Sequence, residues 1–136
     1  MPAFRGNLVT LLVGLAILAV AGSIIANDWL KSADIRHRAE VLTGGDAARG
    51  RALFVTKGCG GCHTLKGVTQ AAGQVGPPLD GIAVRAIIAG TLANIPDNLD
   101  RWISAPQSVV PGNAMPDMPM TARESRDIAA FLYTRT

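Results

Sequence analysis

Cysteine is almost missing from this chain. Cys59 and Cys62 are the whole supply, and with both in one short stretch none remains for a structural disulfide. Aromatic residues are few, three Phe, two Trp and one Tyr in 136 residues, so a domain built here buries only a thin apolar core of its own. Long runs of one charge are also lacking. From Val41 to Thr136 nine Lys and Arg are balanced by seven Asp and Glu, without clustering. Despite the formal charge of +3, that balance and the lack of basic patches interleaved with aromatics exclude a nucleic-acid surface. No alternating runs of Val, Ile and aromatics mark strands. A P-loop, a Ser/His/Asp grouping and carboxylates paired for acid–base work are absent too. Neither a small-molecule substrate nor enzymatic catalysis is therefore expected.

What is present is concentrated in Cys59-Gly60-Gly61-Cys62-His63. Two cysteines three apart, with histidine directly after the second, form the attachment pattern of c-type haem. Each thiol adds across one porphyrin vinyl group, and one helical turn separates the sulfurs by the vinyl spacing. The next residue then offers an imidazole nitrogen to the iron. A thioredoxin-like dithiol shares the C-x-x-C but needs a strand-rich βαβ setting. A zinc site needs about four N or S ligands, and only His37, more than 20 residues away in a polar stretch, joins Cys59, Cys62 and His63. The residues predict one covalent haem c, held through Cys59 and Cys62, with His63 on the metal.

The N-terminus carries a second signal. Leu8 to Ala26 is 19 residues without a charge, enough at about 1.5 Å per residue to cross about 30 Å of hydrocarbon. Trp29 stands where an interfacial anchor would. Ala19-Val20-Ala21 before Gly22 also resembles a signal-peptidase site. The apolar run continues through Ile24 and Ile25, too long for an ordinary cleaved leader, which favours a retained signal anchor over residues 1–27. Lys31, Arg36 and Arg38 beyond the span tilt the positive-inside count against an exported C-terminus. Haem attachment outside the cytoplasmic membrane overrides that count and requires the N-terminus in and the C-terminus out. The expected location is a bacterial inner membrane, crossed once, with the haem domain on the periplasmic side.

Residues 28–45, charged and ending in Thr43-Gly44-Gly45, read as a linker on which a domain at 46–136 could swing. Within that domain Asp46 is a good N-cap for a helix DAARGRALFVTK that stops at Gly58. Asp97 caps a second helix, NLDRWISA, ended by Pro106. Pro111 to Pro116 is irregular. Thr121 to Glu124 forms a capping box opening a last helix to about Tyr133, with Ile128, Phe131 and Leu132 as its apolar stripe. Nothing reads as a strand, so the class is all-α.

The sixth iron position decides function. Left open, it admits gas sensing or peroxidase-like chemistry; filled by a thioether, it favours ferrous iron and a high potential. Met115, Met118 and Met120 share one Pro- and Gly-rich loop, and each is a candidate beside the bland role of filling packing gaps.

Here the chain resembles the class I monohaem cytochromes c, over 46–136. Gly50 and Phe54, four apart on the first helix, match that family's pair crossing the last helix. Gly76-Pro77-Pro78-Leu79 is similar to its Gly-Pro-x-Leu, and the run from Trp102 to Met115, with the aromatic residue 13 positions before the methionine, to its ligand loop. The resemblance implies an all-α cytochrome c fold after one transmembrane helix. It implies that Pro77 orients His63, that Trp102 lines the haem pocket, that Asn113 faces a propionate, and that Met115 is the sixth ligand. The implied role is a membrane-anchored electron carrier between respiratory complexes, with a quinol-oxidising complex upstream and a terminal oxidase or reductase downstream. A subunit fixed in a larger oxidase or reductase is the alternative.

Overall fold

A computed structural model describes residues 3–136 of the chain, with side chains from Asn7 onward. The chain divides into two units, one ending at Asp34 and the other spanning Ile35–Thr136. The first helix, α1, is Ala3–Thr43. In the first unit it is apolar on every side, long enough and apolar enough to cross a membrane by length and composition. None of its residues from Asn7 to Asp34 is buried, which rules out the core-helix role such a segment plays in a soluble protein.

The remainder of α1 runs through the stretch expected as a linker over 28–45. Those residues are helical through Thr43, and Ala39 and Thr43 are buried. The polar look of IRHRAE concealed good helix formers, with neither Gly nor Pro before Gly44. The end is capped as helices commonly are: Gly44 is left-handed at φ 67°, and its N–H donates to Glu40 C=O at 2.8 Å.

Helix α2, Ala47–Thr56, starts at Asp46, whose carboxylate accepts from Arg49 N–H. Helix α5, Ala122–Tyr133, opens on the full capping box of Thr121 and Glu124. The two cross at close range. A Cβ on Gly50 would lie 1.8 Å from Asp127 O, so only glycine permits this approach. Phe54 and Phe131 meet edge-to-face beside it, with ring centroids 5.7 Å apart. The crossing is also clamped by charge. Buried Asp127 accepts from Asp46 N–H at 2.7 Å and from Arg49 Nε at 2.9 Å. Burial alone would raise the Asp127 pKa, but Arg49 and the Asp46 amide outweigh it and hold the carboxyl below its ordinary value.

Helix α3, Pro96–Ser104, is capped at Ile95 rather than Asp97, with Pro96 in the first turn. Proline fits there because its fixed φ is helical and no N–H is needed. Pro106 ends α3 and begins a further turn, α4, Pro106–Val109. A two-residue antiparallel pair, β1 Ile87–Ile88 with β2 Leu92–Ala93, is a small addition to the expected all-α class. Leu99, Ile103, Ile128 and Leu132 join α3 to α5 in the core.

Candidate functional site

After α2 the backbone turns left-handed at Gly58 and makes a single 3₁₀ turn at Cys59–Gly61. Cys62 N–H and His63 N–H both donate to Cys59 C=O, at 3.2 and 3.0 Å. That one turn puts both thiols on the wall of one cavity, and neither is in a disulfide. Burial pushes the Cys59 thiol pKa up, opposed by a backbone hydrogen bond and reinforced by Cys62.

His63 is held by the loop that follows. Its Nδ1 lies 2.8 Å from Pro77 O. A carbonyl only accepts, so Nδ1 is the donor in this contact and Nε2 is the ring nitrogen left available to a ligand. The loop is tied back to the motif by Gly76 N–H to Cys62 C=O at 2.8 Å and Leu79 N–H to Thr64 C=O at 2.9 Å. Gly76 is required here, because a Cβ would lie 2.3 Å from His63 Cε1.

The cavity encloses about 620 Å³, within the roughly 300–1,000 Å³ of cofactor sites. Its floor is apolar, formed by Leu79, Ile82, Leu99, Ile103, Ile128 and Leu132. All seven residues singled out from the sequence, Cys59, Cys62, His63, Pro77, Trp102, Asn113 and Met115, line it. Of the competing methionines, Met118 lines it too. Met120 instead packs against the core cluster.

The residues fit a covalently held haem. Two free thiols one turn apart, an imidazole with one nitrogen committed, a thioether and an apolar lining share one cavity. Zinc is disfavoured by the donor set: among the described residues no three His, Cys, Asp or Glu cluster to hold a metal.

Asn113 Nδ2 donates to Pro106 O at 3.0 Å and Val110 O at 2.6 Å, so its amide also braces the loop beside the cavity. Three side chains escaped notice in the sequence. Arg85 donates to Pro78 O at 2.6 Å and Asp80 O at 3.0 Å, bracing the segment beside Pro77. Lys57, on the cavity wall, pairs with Glu124 at 3.1 Å and donates to Pro119 O at 2.9 Å. Gln107 binds the methionine loop from within. Arg85 and Gln107 bind backbone groups five to eight residues away and Lys57 one 62 residues away, none at a spacing that a helix or strand period would reveal.

Residues 47–136 match the family described as Cytochrome c. The chain is similar to a cytochrome c oxidase subunit 2 of Alkalihalophilus pseudofirmus, 37% identical over 110 residues that cover 79% of this chain and 30% of that protein. It is also similar to a cytochrome c oxidase subunit 2 of Bacillus sp. (strain PS3), 35% identical over 89 residues, 64% of this chain and 24% of that one. The chain thus spans less than a third of the length of either relative. No solved structure matches it.

Proposed function

This chain belongs to the cytochrome c family, and from that premise we propose that it is a membrane-anchored carrier delivering single electrons to a terminal oxidase, with His63 and Met115 as the axial ligands. Haem c is the cofactor, and when bound it supplies reversible one-electron chemistry. The protein's own part is to hold it, set its ligands and keep water out. Cys59 and Cys62 are the attachment thiols. Pro77 C=O fixes the ring plane of His63 and raises the basicity of Nε2. Met115 gives a soft thioether that favours the reduced state, and Trp102 closes the apolar wall. Held by His63 and Met115, the iron would be closed to a substrate.

One observation carries the reading: the 2.8 Å bond from His63 Nδ1 to Pro77 O, which leaves a single nitrogen for iron on the wall of an apolar cavity that also holds both thiols and a thioether. The names of the relatives support an oxidase as the electron's destination. They equally favour a subunit fixed within an oxidase. Residues 1–27 would then serve as the anchor, N-terminus in, and 46–136 as the haem domain on the outer face of a bacterial inner membrane. A quinol-oxidising complex is the corresponding donor.

The test is an optical spectrum and redox titration of the membrane-extracted holoprotein beside Met115→Ala and Met118→Ala. Met115→Ala is expected to lose the sulfur-to-iron charge-transfer band and to lower the potential by a sizeable part of the roughly 0.8 V that axial ligands command. If Met118→Ala does this instead, the ligand assignment is wrong. Catalytic oxidase subunits that co-purify after mild solubilisation would decide for the fixed subunit over the free carrier.

A further inference from the structure

The loop that carries Met115 has no regular structure, yet it is bound around one side chain. Gln107 uses its whole amide inside that loop. Its Nε2 donates to Asn113 O at 2.9 Å and to Met115 O at 2.7 Å. Its Oε1 accepts from Gly112 N–H at 2.9 Å. The base of the residue is fixed as well, since Gln107 N–H donates to Asp117 Oδ1 at 3.1 Å on the far side of the methionine. Asn113 completes the arrangement, its Oδ1 accepting from Met115 N–H at 2.7 Å. Both backbone polar groups of Met115 are therefore held by side chains. Gly112 itself is solvent-exposed and left-handed at φ 79°, a position with little else to order it.

We propose that Gln107 is a positioning residue for the sixth ligand: by clamping the backbone on both sides of Asn113 it holds the Met115 thioether at the iron and sets how readily that bond opens. The proposal rests on the assignment of Met115 as ligand. Its physical content is pre-organisation. An irregular loop must lose conformational freedom each time the sulfur binds. A loop already fixed by three amide bonds has lost it beforehand, so the bound state is favoured without any contact between Gln107 and the metal. Gln107 thus ties Asn113 and Asp117, one on either side of Met115, to the same residue.

The test compares full-length holoprotein with Gln107→Glu and Gln107→Met. The first keeps the acceptor for Gly112 and sets a carboxylate against two carbonyl oxygens. The second keeps the bulk and removes every bond. Both are expected to mature with covalent haem and native helicity, because neither change touches the α2–α5 crossing. Two donor bonds of ordinary net worth correspond to a roughly ten- to hundredfold rise in the population with sulfur detached. It is read as faster carbon monoxide binding to ferrous protein, loss of the charge-transfer band at lower pH, and a lower potential. In the parent, Gly112 N–H should exchange slowly for an exposed glycine. The inference is overturned if both variants keep parental band, potential and carbon monoxide reactivity while Met115→Ala loses the band. It is equally overturned if neither variant matures, since the effect would then be on folding and not on the loop. Retention of the band in Met115→Ala would instead defeat the ligand assignment itself.

Discussion

A single methyl group added at Gly76 probes the site where its tolerance is smallest. A Cβ there would lie 2.3 Å from His63 Cε1, 2.6 Å from Nδ1 and 2.8 Å from Nε2, well inside van der Waals contact. Neither side yields freely, because Gly76 N–H is bound to Cys62 C=O at 2.8 Å and the ring to Pro77 O at 2.8 Å. Gly76→Ala must push the imidazole off the carbonyl or lift the loop from the motif. Overpacking costs about 1–3 kcal/mol and a lost hydrogen bond about 0.5–1.5 kcal/mol, while the stiffer unfolded chain returns about 0.4–1 kcal/mol. The net loss is roughly 1–3 kcal/mol, or roughly 5–15 °C in Tm for a domain of this size. Gly50→Ala is the control: its Cβ would meet Asp127 O at 1.8 Å, so it strains the α2–α5 crossing but leaves His63 alone. Thermal melting by circular dichroism, with the visible spectrum and potential of each holoprotein, separates the two. Both variants should melt early, but only Gly76→Ala should raise the potential, because an imidazole detached from Pro77 donates less to ferric iron. If Gly76→Ala melts like the parent, or melts early with unaltered spectrum and potential, the steric argument for this glycine fails.

Two further outcomes are expected. Replacing both cysteines, Cys59→Ser with Cys62→Ser, should yield protein without covalent haem and with most of its helicity lost, because few large side chains fill the core around the 620 Å³ cavity; native circular dichroism in that variant would contradict it. Asp127 supplies the acid limb of stability. Its pKa is held below the ordinary carboxylate value, so its contribution is fully present above about pH 3.9 and is lost as pH falls through the depressed folded value. Denaturant titrations of parent and Asp127→Asn should differ at pH 7 by enough to move Tm several degrees, and converge in strong acid; a constant gap down to pH 2 would remove the Asp127–Arg49 clamp from the account.

Legibility from sequence followed the range of the interaction. The haem motif acts within one turn, so spacing alone announced it, and Cys59, Cys62 and His63 line a common cavity. The N-cap at Asp46 and the capping box at Thr121 are likewise local, and both helices begin where those residues said. The rest has the opposite character. Residues 28–45 read as a linker from their charge and terminal glycines, while helix propensity and the burial of Ala39 and Thr43 make the backbone helical as far as Thr43. Asp97 is a good cap by type, but Pro96 can occupy the first turn at no hydrogen-bonding cost, which moved the cap to Ile95.

The side chains that escaped sequence reading explain why the legible ones work. His63 orientation depends on Pro77, and the loop beside Pro77 is braced by Arg85 from Pro78 O and Asp80 O. Arg85 C=O in turn accepts from Asn94 Nδ2 at 2.9 Å, and Asn94 Oδ1 accepts from Tyr133 on α5 at 3.2 Å. A chain of bonds therefore runs from the last helix to the proline loop and on to the imidazole. On the methionine side the same role falls to Gln107 and Asn113. A motif states which atoms meet the cofactor; the rigidity with which they meet it comes from polar side chains bound to backbone groups outside the motif. On the proposed His63 and Met115 ligation, substitutions at Arg85, Asn94 and Gln107 should alter redox behaviour, read by redox titration of the holoprotein, while leaving every motif residue in place.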